Sequence, residues 1–244
     1  GSSSSIVTTK EFAAAYNASN IADFKAPVDG TVQNLTLNTA KVIYADETNK
    51  YVYVKDETGA ICFYNAGLGL TTGDVLNGSV AGELSIFNNM PQFRANSLTN
   101  KDKLTQSTGT PEEPIAATVS DLLGDKYLCN LVKISGVKLD SVDSNLYAYQ
   151  GDAQIQIYDQ FKKLTGVEIV KGNENNIVTG ILVVYKTTYE LYPITVDGIV
   201  TTAITDLKAD SAKAQAPVYN LAGQRVDAAY KGVVIQNGKK FIQR

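Results

Sequence analysis

The chain of 244 residues has no histidine and no tryptophan, one methionine, two cysteines and six prolines. Without histidine, nucleophilic arrangements of the Ser-His type are excluded, and so are imidazole-ligated metals. Two cysteines do not complete a zinc ligand set. Cys62 and Cys129 fall in corresponding halves of two related segments. Separate domains seldom bring such a pair within disulfide reach, so two unpaired thiols are expected. No run of about 18 apolar residues occurs, so no transmembrane helix is expected. Apolar residues still make up 44%, enough to build real cores.

Charge of one sign is scarce in the tail and abundant before it. From Lys213 onward stand six basic residues and one acid, a net +5. The preceding 212 residues hold sixteen basic and twenty-four acidic side chains, a net −8. An acidic body repels a polyphosphate backbone.

What is present is a duplicated hairpin. Residues 51–64 alternate as two strands around a turn at Asp56–Gly59. Val52, Val54, Ile61 and Phe63 take one face; Tyr51, Tyr53, Cys62 and Tyr64 take the other. The pattern returns without a gap at residues 145–159. There Leu146, Ala148, Ile155 and Ile157 repeat the inward set, and Tyr147 and Tyr158 repeat Tyr53 and Tyr64.

Further strands are expected at about 33–44, 72–87 and 90–95 in the first copy. In the second they fall at about 127–139, 176–185 and 188–196. Gly180 stands where Gly82 stood, and Gln92-Phe93-Arg94-Ala95 matches Glu190-Leu191-Tyr192-Pro193. Glycine inside a long strand marks a sharp bend, as when a sheet coils into a barrel. Residues 8–16 read as a short capped helix. Asn20–Lys25 reads as a second helical turn, mirrored by Thr118–Leu123.

The chain is therefore expected to be mainly β, with two small five-stranded OB-type barrels, each preceded by a short helix, and a small C-terminal β-hairpin module. The expected division is an N-terminal tether with a short helix at 1–19, a first barrel at 20–100 and a featureless linker at 101–117. A second barrel follows at 118–200, then a connector at 201–216 and the C-terminal module at 217–244.

At Leu35–Val42, Tyr51–Gly59 and Gly73–Gly82, and again at Val137–Leu139, Ile155–Tyr158 and Ile177–Leu182, the sequence resembles the tandem OB-fold modules of exported proteins and lipoproteins from Gram-negative gut anaerobes. Residues 217–244, with an Asn237-Gly238 turn and a Gly-Lys-Lys strand, resemble the short C-terminal β-modules of the export-signal type from the same bacteria. The resemblance implies an exported protein, periplasmic, at the outer-membrane surface or extracellular, with a lipid anchor as one form of attachment. The opening Gly-Ser-Ser-Ser-Ser, without an initiator methionine, fits a processed chain with a flexible tether. The tail is too short to bury a core alone and is expected to dock on the second barrel, or on an equivalent surface of another molecule.

In OB barrels the outer face of strands two and three is the usual binding surface, where rings stack on bases or sugars. The resemblance thus points to Tyr51, Tyr53, Lys55 and Tyr64 on the first hairpin, and to Tyr147, Tyr149 and Tyr158 on the second. Tyrosine is also simply a good strand residue on a half-exposed face. Replacing Tyr53 and Tyr64 by alanine is expected to weaken binding and leave melting nearly unchanged. A glycan or protein ligand is expected; a single-stranded nucleic acid is the alternative, and a purely structural surface role the third. The acidic clusters Asp46-Glu47, Asp56-Glu57 and Asp140–Asn145 sit at expected turns, where Asp and Asn favour the geometry in any case. Neither these nor Gly73–Gly82, which lacks a following helix and lysine, makes a metal or phosphate site. No catalytic residue and no cofactor is expected.

Overall fold

The computed structural model describes residues 16–170, 172–198, 218–227, 229–236 and 239–243. The expected helix at residues 8–16 lies almost wholly outside them, as do residues 237–238 of the tail turn. The chain divides into two units, residues 1–200 and 201–244.

The first unit opens with β1 (Asn17–Ala18) and a single turn of helix, α1 (Ile21–Lys25). The Asn20 side chain caps α1 by accepting from the Asp23 N–H at 2.8 Å, as an N-cap asparagine should. Five strands follow: β2 (Val32–Ala45), β3 (Tyr51–Asp56), β4 (Gly59–Tyr64), β5 (Val75–Phe87) and β6 (Met90–Arg94). Their order is β2-β3-β4-β6-β5, and a β2–β5 pairing closes the ring. All neighbours are antiparallel except β4 and β6. This is a closed five-stranded barrel of OB-like topology.

The residues joining the barrels are less bare than expected. β7 (Leu104–Ser107) adds to β5, and β8 (Ile115–Ala116) pairs in parallel with β9. The second barrel repeats the first with β9 (Leu131–Val142), β10 (Asn145–Gln150), β11 (Ala153–Ile157), β12 (Asn176–Tyr185) and β13 (Thr188–Gly198). Its order is β10-β11-β13-β12-β9, closed by β9–β10, with β11 and β13 parallel.

The alternation reads directly into the cores. Val52, Val54, Ile61 and Phe63 fill the first barrel, and Ala148, Ile155 and Ile157 the second. Each barrel is plugged at one end by its preceding turn: Ile21 and Phe24 in the first, Val119 and Leu122 in the second. The second plug is not the expected helix. Residues Ser120–Leu122 form only a 3₁₀ turn ahead of Gly124, although Thr118 Oγ1 accepts from the Asp121 N–H at 3.2 Å and Asp121 accepts from the Thr118 N–H at 2.9 Å. The bend glycines leave no room for a side chain. A Cβ at Gly82 would stand 2.1 Å from the Phe93 ring, and one at Gly180 2.4 Å from the Tyr192 carbonyl.

The second unit is more than a hairpin. β14 (Val218–Asn220), β15 (Arg225–Val226), β16 (Gly232–Gln236) and β17 (Lys239–Gln243) form one antiparallel sheet in the order β15-β14-β16-β17. Val234 is fully buried there, while Leu221 and Ile242 remain 63% and 65% exposed.

Candidate binding cleft between the barrels

β12 carries an unbroken apolar run, Ile181-Leu182-Val183-Val184. An antiparallel strand with one wet face alternates; a run like this is buried on both faces. Leu182 points into its own barrel, whereas Ile181, Val183 and Val184 join a separate apolar cluster between the two barrels. The first barrel supplies Ile43, Tyr44, Tyr53, Ala60, Cys62 and Met90 to that cluster. These are outer-face residues of its own sheet, so the barrels share a third core.

Phe161 follows β11 and reaches across this junction. Its ring lies 4.7 Å from Tyr44, 6.1 Å from Tyr51, 6.4 Å from Tyr53 and 5.8 Å from Tyr192, in tilted or edge-on geometries that favour aromatic pairs. Cys62 and Cys129 are both free and both buried here. The separation expected of them is not found, because the barrels share a core. Tyr53 and Cys129 both adjoin the Cys62 thiol. Desolvation pushes the Cys129 thiol up to about 12 and the Cys62 thiol well above its ordinary range.

Beside the junction opens a cleft of about 720 Å³, within the usual size of a ligand site. The two barrels line it with matching positions. By strand register Tyr64 corresponds to Tyr158, Gln92 to Glu190, Arg94 to Tyr192 and Phe87 to Tyr185, and all eight face the cleft. Tyr51, Tyr53, Gln156 and Gln160 add to the wall. The two hairpin turns meet at the rim, where the Lys186 N–H donates to the Asn88 carbonyl at 2.8 Å and the Asn89 amide donates to the Lys186 carbonyl at 2.5 Å.

Rings and amides dominate the lining. Phe87, Tyr158 and Tyr185 are 56%, 47% and 43% exposed, so their faces are open to a ligand. Tyr64 is already held: Arg94 lies 5.2 Å and Lys50 5.3 Å from its centroid, a cation–π arrangement. The Tyr51 ring meets that of Tyr64 edge-on at 5.2 Å, and desolvation raises the Tyr51 phenol to about 12. Tyr192 rises too, first through desolvation and then through the neighbouring Glu190. Arg94 and Lys186 are the basic lining residues and Glu190 the acidic one, so the wall carries nearly balanced charge.

The candidate ligand residues singled out in the sequence divide into four groups. Tyr51, Tyr64 and Tyr158 line the cleft. Tyr53 borders it too, but at 1% exposure it is chiefly a core residue. The expectation that losing Tyr53 leaves melting unchanged is therefore corrected: the face it occupies is covered by the other barrel. Tyr147 and Tyr149 lie elsewhere on β10, half-buried, their rings 6.2 Å apart with Lys138 5.2 Å from Tyr149. Lys55 is ion-paired to Glu112, and Lys41 stands 4.0 Å from the same carboxylate. The acidic turns are engaged in turn geometry. Asp46 accepts from Tyr51 N–H at 2.7 Å, and Asp56 from Thr58 N–H at 2.7 Å and Ile21 N–H at 2.8 Å.

Sequence reasoning missed Phe87, Gln92, Gln156, Glu190, Tyr185, Tyr192 and Phe161. The two-sided apolar run of β12 was the one signal that an outer face is covered.

No family model matches the chain, and no curated protein matches it. Among solved structures, the HINa domain of Ifi202 in complex with 20-bp dsDNA is similar over 70% of this chain and 97% of that one. The identity is 13% and the TM-score 0.27.

Proposed function

We propose that this chain is a non-catalytic, exported binding protein whose site is the cleft between its barrels, and that the ligand is a neutral glycan. The observation that carries the reading is the composition of that cleft. Exposed rings offer flat apolar surfaces to the C–H faces of sugars, and side-chain amides offer paired donors and acceptors to hydroxyl groups. Near-balanced charge favours a neutral ligand over a polyanion. Glycosidases of the common kind work with two facing carboxyl groups. Among the described residues Glu190 is the one carboxylate lining the cleft, which supports binding without turnover. Export rests on the sequence resemblance alone.

The test is a neutral-oligosaccharide array probed with the intact chain and with the Tyr158→Ala, Tyr185→Ala double variant. Array binding that the double variant loses, with an unchanged melting temperature, supports the reading. Binding that both proteins share, or none by the parent, sinks it.

A second reading is single-stranded nucleic acid on the β10 face, favoured by the Tyr147–Tyr149 pair with Lys138 beside it. The acidic body opposes it. Salt-sensitive retention on an immobilised oligothymidine, lost on Tyr149→Ala, would establish it.

A further inference from the structure

Gln92 and Glu190 are equivalent residues. Cys62 faces Gln92 across the parallel β4–β6 pair as Gln156 faces Glu190 across β11–β13. Each is only 7% exposed, and each opens on the same cleft. Neither side chain has a hydrogen-bond or ion-pair partner among the described residues. A buried amide or carboxylate without a partner is costly, and such groups are found in native structures mainly where something else completes them. Here the unsatisfied atoms are not sealed in: the one fully buried side-chain oxygen left without a partner among the described residues is the Tyr44 hydroxyl, outside the cleft. Two such groups, one from each barrel, at the same position of the repeat and facing one cavity, are a pair awaiting a ligand.

We infer that Glu190 and Gln92 are the specificity-determining pair of the cleft, Glu190 accepting hydrogen bonds from two adjacent hydroxyl groups of a neutral sugar and Gln92 bonding the same or the next residue. This rests on the glycan reading given above. A carboxylate has two acceptor oxygens and no donor when ionised, so it complements a vicinal diol and repels a phosphate or a uronate. The amide both donates and accepts, which suits a hydroxyl or an acetamido group. With no protein partner to displace, both side chains are free to bond the ligand, and a sugar that expels their water without replacing its hydrogen bonds is rejected.

The ionisation of Glu190 is part of the device. Desolvation raises its carboxyl above the ordinary range. The other titratable groups lining the cleft are Tyr158, Tyr185 and Tyr192 from its own barrel, Tyr51, Tyr53 and Tyr64 from the first, and the cations Arg94 and Lys186. Phenols as a class ionise at about pH 10, outside the range in which a carboxyl titrates. Protonating Glu190 replaces an acceptor by a donor, so affinity should fall as pH drops through its titration.

The experiment uses the full chain, with cellotriose, maltotriose, xylotriose and N-acetylchitotriose as probes, titrated calorimetrically from pH 4.5 to 8. The parent is expected to bind at least one, with affinity declining on acidification. Glu190→Gln should bind that sugar at least tenfold more weakly, with a flat pH profile and a melting temperature equal to or above the parent's. Gln92→Leu should likewise lose at least tenfold and melt no lower. If the parent binds and both variants bind as it does, the inference is wrong while the glycan reading stands. Binding lost together with a lowered melting temperature in both variants shows a structural role and overturns the inference. If the parent binds none of the four, the glycan reading falls and takes the inference with it.

Discussion

Asn88 and Lys186 occupy the same position of the two barrels and hydrogen-bond to each other, the Lys186 N–H donating to the Asn88 carbonyl. Both residues adopt left-handed backbone, φ 51° and 58°, as tight hairpin turns require. The contact joins the barrels at the rim of the cleft, whereas the apolar junction behind it is built from inequivalent faces, β2–β3–β4 of one barrel against β12–β13 of the other. Asn89 completes the clip through its amide and sits at φ 68°, which asparagine tolerates better than alanine. Asn89→Ala should therefore cost about 1–2 kcal/mol, one hydrogen bond plus backbone strain, read as a lower urea midpoint with an unchanged slope.

Tyr53 and Tyr158 make a second, sharper comparison. Both were equal candidates as ligand rings, but one is 1% and the other 47% exposed. Truncating a buried aromatic typically costs about 3–5 kcal/mol, so Tyr53→Ala should lower the thermal midpoint by many degrees. Tyr158→Ala should lie within about 0.5 kcal/mol of the parent, as surface changes do. Equal effects on stability would mean that the barrels do not share a core in solution.

Tyr44 reports on the same junction from the polar side. Its ring packs on Phe161, its hydroxyl is buried without a partner, and desolvation raises its phenol to about 12. Removing that oxygen removes an unsatisfied group without opening a void. Tyr44→Phe should thus stabilise by about 1 kcal/mol. A loss of stability in chemical denaturation would show that the hydroxyl has a partner in solution.

Much of the fold is legible in the chain itself, because a period of two says which side of a strand is wet. Val52 and Phe63 went inward and Tyr53 and Cys62 outward, as their alternation required, and the matching hairpin 94 residues later fixed the duplication. What alternation does not say is which outward face meets another outward face. Tyr53 and Tyr147 are indistinguishable by local pattern. One is sealed under the second barrel and the other is half-buried on β10, because only the first barrel's β3–β4 face meets the apolar side of β12 and β13. For the same reason Gln92 and Glu190 read as ordinary outward polar residues. Their significance depends on two strands that are 98 positions apart opening on one cavity.

The two thiols offer a test that spans reactivity and pH. Cys62 and Cys129 are fully buried, and burial holds both in the protonated form, Cys129 up to about 12. The thiolate is the reactive species, so iodoacetamide at pH 8 should leave the folded chain unmodified and label both residues in urea. Rapid labelling of the native chain would show that the barrels separate readily. The raised values also fix the sign of a stability effect. The folded state holds its thiol protons to higher pH than the unfolded state, whose thiols titrate near 8.5. The stability due to these thiols is complete below about pH 8.5 and is lost as pH rises toward the folded value. The raised tyrosines add their own loss only above about pH 10, so the interval between belongs to the thiols. The Cys62→Ala, Cys129→Ala double variant, less stable at pH 7 through lost packing, should show a flatter decline from pH 8.5 to 10 than the parent. Parallel declines in the two proteins would place the alkaline sensitivity elsewhere.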